Sequence, residues 1–250
     1  MINYIIMAEK KKSMGFDEIM RNLKAGNFSP IYILMGNEAY YIDKIADYIA
    51  ENALAPEERD FNQEIVFGAD TTATQIVDMA KGYPMMAPRR VIIVKEAQGL
   101  KNLEPIEKYL ANPSATSLIV LCHKNGTIDA RKKIIAKAQA VGVVFESKKL
   151  KDYQLPSFIE GYLKTRKAAI ENKAVMMIAE AVGADLSRLT SELEKILISL
   201  PDNDRRVTPE VVEEQIGVSK DFFLFCLFFV LSRVLAYSIQ MGERDGAKTS

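Results

Sequence analysis

Cysteine and histidine are almost missing from this sequence, and their scarcity removes several chemistries at once. Two cysteines, Cys122 and Cys226, and one histidine, His123, occur in 250 residues. The cysteines lie far apart and Cys122 sits inside an apolar run, so a disulfide framework is not expected and a reducing cytosol is the simplest home. Structural and catalytic zinc sites take three or four protein ligands, which one histidine beside one cysteine cannot supply. With a single histidine, the usual base partner of a nucleophilic serine or cysteine is nearly absent too. Excess charge is also lacking. Lys plus Arg and Asp plus Glu number 33 each, so no whole-chain field draws in nucleic acid or anionic lipid, and such contacts must come from local patches or partners.

A secretory signal is not expected, because the order is wrong: a short apolar piece, Ile2 to Met7, precedes Lys10, Lys11 and Lys12 instead of following them. Residues 1–14 read as a frayed leader, with Met14 as a candidate natural start. Internal repeats and low-complexity stretches are absent. What is present is the balance of a globular protein, 48% hydrophobic and 26% charged, in a length that suits one large or two modest domains.

Between residues 15 and 149, runs of strand length alternate with runs of helical period. Ile31–Gly36, Asn62–Phe67, Arg90–Lys95, Ser117–Cys122 and Gly142–Glu146 read as strands, most of them rich in β-branched residues. Three are nearly continuous apolar stretches, which suits a sheet covered on both faces. Asp43–Ala53, Thr72–Ala80, Leu103–Leu110 and Asp129–Ala140 carry apolar residues three and four apart and read as helices. Strand and helix taking turns imply crossover units and a parallel sheet, so the fold class is α/β.

After Lys149 the strand signals stop. Tyr153–Thr165, Asn172–Val182, Asp185–Ser199 and Thr208–Ile216 read as helices, punctuated by Gly183 and opened by Thr208-Pro209. Residues 150–219 are therefore expected to form a small all-helical domain. The segment 220–250 is aberrant: Phe222–Leu231 is uninterrupted apolar sequence, followed by Ser232 and Arg233. It is shorter than the roughly twenty residues of a membrane span. A helix of a truncated third domain, a reading-frame artefact and a membrane anchor all stay open.

Strand, glycine, then helix is the arrangement with which nucleotide-binding folds hold phosphate. Loop amides and the helix N-terminus form the cradle, and a lysine reaches the terminal phosphates. Here the segment is Gly36, Asn37, Glu38, Ala39, Tyr40, Tyr41, Ile42, Asp43. The pattern requires its second glycine at 41, its lysine at 42 and its hydroxyl at 43, where Tyr41, Ile42 and Asp43 stand instead. Tyrosine keeps backbone away from phosphate, isoleucine brings no charge, and aspartate repels the anion, as does Glu38. Lys44 stands two places too late. The loop keeps the architecture of a phosphate site without its chemistry, so neither a nucleotide nor any other cofactor is expected.

No other catalytic set emerges. Glu192 and Glu194 beside Lys195 read as a solvated face. The basic runs Arg131-Lys132-Lys133, Lys148-Lys149 and Lys164, Arg166, Lys167 read first as solvated faces and second as candidate DNA contacts. A hydrolase with a divergent phosphate loop and a DNA-binding module are the two rival functions.

The ordered set of motifs resembles a known family. The strand end Met35-Gly36-Asn37-Glu38 followed by Tyr40-Tyr41-Ile42-Asp43 is similar to the opening of the delta subunit of bacterial DNA polymerase III. Tyr83-Pro84-Met85-Met86-Ala87-Pro88-Arg89-Arg90-Val91-Ile92-Ile93-Val94 looks like its apolar pair, arginine and β-branched strand. Leu103–Leu110, Pro113 and Ser117–Cys122 match the region that comes next. Gly183-Ala184-Asp185-Leu186, Glu192-Leu193-Glu194-Lys195-Ile196 and Val207-Thr208-Pro209-Glu210-Val211-Val212 are similar to the signatures of its helical domain. The match runs in order through residues 14–220. Past Ser219 the family continues into a third, collar-forming domain, where this sequence turns to Phe222–Leu231.

The resemblance implies an AAA+-like fold without ATPase activity, in the loader that opens the ring-shaped sliding clamp. It places the clamp-binding pair on Met85 and Met86, with Tyr83 beside them. Methionine is flexible and polarisable and fills irregular pockets well, although family members more often carry leucine and phenylalanine there. The alternative is that both methionines pack under the sheet. The implied partners are the sliding clamp, other loader subunits in a hetero-oligomer, and primer–template DNA through the complex. No metal and no membrane are implied.

Overall fold

A computed structural model of the chain describes residues 14–201 and 204–216. Residues 1–13 of the leader, Cys226 and the apolar run Phe222–Leu231 lie outside the described residues. Two compact units meet in sequence at Lys149 and Leu150.

The first unit is built on five parallel strands. These are β1 (Ile31–Gly36), β2 (Gln63–Phe67), β3 (Arg90–Lys95), β4 (Ser117–Lys124) and β5 (Val143–Ser147), in the spatial order β2-β3-β4-β1-β5. Successive side chains of a strand point to opposite faces, and β1 shows what that alternation does here. Ile31, Ile33 and Met35 enter one core with Ile92, Val94, Ile119 and Leu121. Tyr32 and Leu34 enter the other with Val91, Ile93, Leu118, Val120 and Cys122. The first core is closed by α4 (Ala73–Lys81), α5 (Glu104–Tyr109) and α6 (Lys133–Val141) through Ile76, Ile106, Ile134 and their neighbours. The second is closed by α1 (Phe16–Lys24) and α2 (Ala39–Asn52) through Ile19, Leu23, Ile42, Ile45 and Ile49. The apolar runs of β1, β3 and β4 are thus explained by helices on both sides. Thr72 and Gln75 form a reciprocal cap at the start of α4, Gln75 N–H reaching Thr72 Oγ1 and Thr72 N–H reaching Gln75 Oε1.

The second unit packs α7 (Leu155–Thr165), α8 (Asn172–Val182), α9 (Leu186–Ser199) and α10 (Pro209–Ile216). Leu155, Ile159 and Leu163, Val175 and Ile178, and Leu189, Leu193 and Ile196 recur three and four apart and are all buried. Asp185 caps α9 by accepting the Arg188 N–H, and Gly183 ends α8 with φ of +74°. The unit is not wholly helical. Two-residue strands β6 (Ala169–Ile170) and β7 (Arg206–Val207) pair in parallel, too short for any alternation to announce them.

Other boundaries differ from the sequence reading in ways that matter below. Helix α1 carries only Ile19 and Leu23 as buried residues, a weak periodic signal that the sequence reading passes over. Helix α2 begins at Ala39, because the Glu38 carboxylate accepts the Tyr40 N–H and caps it. Helix α6 begins at Lys133: Asp129 binds the Arg131 backbone and guanidinium and holds that stretch as a turn. Asn62 is not in β2. It ends a one-turn helix, α3 (Arg59–Asn62), and is buried.

Candidate functional site

The degenerate loop is occupied by its own chain. Gly36 lies at the carboxyl end of β1 with φ of +131°, and a Cβ there would stand 2.1 Å from the Ser147 carbonyl oxygen at the end of β5. Its glycine is therefore required by a neighbouring strand, not by a ligand. The Gly36 N–H donates to the Gly126 carbonyl at 2.8 Å, and the Asn37 N–H to the Ser147 carbonyl at 3.3 Å. The Glu38 N–H donates to Ser147 Oγ at 3.2 Å, and the Tyr40 N–H to the Glu38 carboxylate at 3.2 Å. Four of the amides from Gly36 to Tyr40 thus have acceptors within the protein.

The three substituted positions are each put to structural use. Tyr41 packs among Phe16, Tyr40 and Phe145, with ring centroids 4.7, 5.4 and 6.5 Å away. Burial, aided by the Glu38 charge, pushes its phenol up to about 12. Ile42 is wholly buried in the second core. Asp43 binds the Lys124 ammonium at 2.8 Å, and Glu96 lies 3.6 Å from the same nitrogen. Burial alone lowers the pKa of Lys124, but the bond and charge of Asp43 with the charge of Glu96 outweigh it, and the net shift is upward. Lys44 lies over the Tyr40 ring.

The pair singled out as a partner contact stands in solvent. Tyr83, Met85 and Met86 are exposed, Met86 fully, and the loop between α4 and β3 presents them. Neither methionine packs under the sheet. Met86 has φ of +51°, a left-handed conformation that is uncommon for a long side chain and is concentrated at functional sites. Asn62, which no sequence pattern flagged, holds the loop by two hydrogen bonds to the Met85 main chain.

The candidate DNA contacts do not form one surface. Lys148 and Lys149 are exposed and line a groove with Gly36, Asn37, Asn125 and Thr127. Lys132 and Lys133 line another groove with Lys101 and His123, while Arg131 is bound to Asp129 at 2.7 Å. Lys164, Arg166 and Lys167 belong to the second unit. There Arg166 stacks on Tyr162 and donates to Glu194, which also accepts the Tyr162 hydroxyl. Glu194 is therefore a tie between α7 and α9, with a side chain that stays partly exposed; Glu192 pairs with Lys195. Cys122 is buried, and burial pushes its thiol up to about 12. His123 lies 3.2 Å from the Gly126 carbonyl through Nδ1. Among the described residues no cluster of three or more His, Cys, Asp or Glu could hold a metal ion, and no helix is long and apolar enough to cross a membrane.

Comparison with known proteins fits this geometry to a family. Residues 32–148 match the model of "DNA polymerase III, delta subunit". Through that segment, the chain is similar to the DNA polymerase III delta subunit family. The DNA polymerase III subunit delta of Bacillus subtilis is 25% identical over 208 residues, which cover 79% of this chain and 60% of the relative. The chain therefore spans about three fifths of the length of that relative. The solved Bacillus subtilis DNA clamp loader delta protein superposes with a TM-score of 0.70 at 22% identity, over 94% of this chain and 73% of its own. Its fold is shared. The α/β architecture with a parallel sheet, expected from the alternation of strands and helices, is the one found. A fainter likeness, TM-score 0.47 at 13% identity over 80% of this chain and 65% of the other, is to Thermotoga maritima RuvB.

Proposed function

We propose that this chain is a clamp-loader subunit that binds the sliding clamp of the replicative polymerase through Met85, Met86 and Tyr83, and that it works by contact rather than turnover. The observation that carries this reading is the loop of residues 83–86, whose apolar side chains stand in solvent while its backbone is tied to a buried asparagine. An apolar side chain held out from a fixed backbone is suited to fill a pocket on a partner. Binding that prefers an open clamp interface shifts the ring toward opening, and needs no hydrolysis at this subunit. The amides of Gly36, Asn37, Glu38 and Tyr40 are committed within the protein, which supports a subunit without intrinsic catalysis inside a polymerase holoenzyme. It acts in the cytoplasm beside other loader subunits, and its exposed Lys132, Lys133, Lys148 and Lys149 are candidate contacts to primer–template DNA.

The test is a titration of purified sliding clamp against the wild-type chain and the M85S/M86S double variant. Binding is expected to be lost in the variant, with stability within about 0.5 kcal/mol of wild type, the range of an exposed substitution. Unchanged affinity removes both methionines from the site.

A further inference from the structure

The loop that carries the two methionines is fastened by a residue with no place in any motif. Asn62 is 1% exposed at the end of α3. Its side-chain oxygen accepts the Met85 N–H at 2.7 Å, and its amide nitrogen donates to the Met85 carbonyl at 3.0 Å and to the Glu58 carbonyl at 2.9 Å. One side chain thus satisfies both main-chain groups of Met85, as a neighbouring strand does, across 23 positions of sequence. On the far side of Met86, Ala87 packs against the second core and the Arg89 guanidinium lies 4.6 Å from the Phe28 ring centre. Met86 sits between these fixed points in its left-handed conformation. An anchor ordered before binding avoids the entropy loss of ordering it during binding.

We infer that Asn62 is the positioning residue of the partner-binding loop: by clamping the Met85 main chain it presents Met86 preformed to the sliding clamp. This rests on the reading of Met85 and Met86 as clamp contacts. Asn62 is buried and does not itself meet the partner.

The experiment joins hydrogen exchange on the free full chain to clamp titration of the same preparations. The proteins are wild type, Asn62→Ala, Asn62→Asp and M85S/M86S. Asn62→Ala is expected to speed exchange of the Met85 amide about tenfold while the strands keep their protection. It is also expected to weaken clamp binding about tenfold, through the ordering returned to the binding step. Asn62→Asp keeps the acceptor for the Met85 N–H and loses the donor, so it falls between. A residue acting only on overall stability would speed exchange of the strand amides along with that of Met85. Two results overturn the inference: unaltered Met85 exchange in Asn62→Ala, or unaltered affinity in that variant while M85S/M86S loses binding. Full affinity in M85S/M86S defeats the clamp reading itself, and the role of Asn62 with it. Should Asn62→Ala fail to fold, Asn62→Asp supplies both readouts.

Discussion

Ser147 fills the space that a side chain on Gly36 needs. A Cβ at position 36 would lie 2.1 Å from the Ser147 carbonyl oxygen, 2.5 Å from its Oγ and 2.8 Å from its nitrogen, closer than any non-bonded contact allows. Ser147 is itself buried and takes the Asn37 and Glu38 amides. The two strand ends are thus locked at the point where a phosphate loop needs open backbone. Gly36→Ala must either push β5 away or break these bonds, and it also strains a backbone at φ of +131°. We expect a loss of about 3 kcal/mol or more, from overpacking and backbone strain together, read from urea unfolding. A loss under about 1 kcal/mol would show that the contact yields, and that the glycine is not held there by Ser147.

Much of this could be read from the sequence, and the rest fails for a common reason. The strands β1, β3 and β4 declare themselves because both faces are covered, which leaves unbroken apolar runs such as Ile31-Tyr32-Ile33-Leu34-Met35. The emptied phosphate loop is legible because a pattern fixes which residue belongs at 41, 42 and 43. What stayed hidden depends on contacts between distant positions. Ser147 meets Glu38 across 109 residues and Asn62 meets Met85 across 23, and no local period encodes either. An isolated asparagine beside Phe61 looks like part of a strand until the loop it holds is known. The pair β6 and β7 is hidden for the opposite reason, since two residues are too few to carry any period.

The ion pair at the end of β4 is expected to respond unequally to loss of its two members. Lys124 has a side chain only 18% exposed, against 36% for Asp43. Asp43→Asn leaves a poorly hydrated ammonium with Glu96 at 3.6 Å as its nearest remaining acid, whereas Lys124→Met leaves a carboxylate that water can reach. Removing one partner is costly in proportion to how buried the other is. We expect Asp43→Asn to lower stability by about 1–2 kcal/mol and Lys124→Met by less than about 1 kcal/mol. Equal losses, or the reverse order, in denaturant unfolding at neutral pH would refute this account of the pair.

Tyr41 gives the alkaline limb of stability a specific owner. Its phenol is raised from the ordinary value near 10 to about 12, first by burial and then by the negative charge of Glu38. The folded chain keeps this proton at a pH where the unfolded chain has released it. The contribution is therefore complete below pH 10 and is lost as the pH climbs from 10 toward 12. Two pH units correspond to about 2.7 kcal/mol before allowance for solvent. Tyr41 is only about half buried, so screening reduces the expected figure to about 1 kcal/mol. Tyr32, Tyr109 and Cys122 are also raised by burial, so the wild-type curve alone assigns nothing. Tyr41→Phe keeps the ring against Phe16 and Phe145 and removes the ionising group. Its stability is expected to fall less steeply than wild type between pH 10 and 12, the two curves running parallel below pH 9. Curves that stay parallel through pH 12 would mean that the ring at the vanished glycine position of the phosphate loop is open to water, and the packing that closes the loop would have to be redrawn.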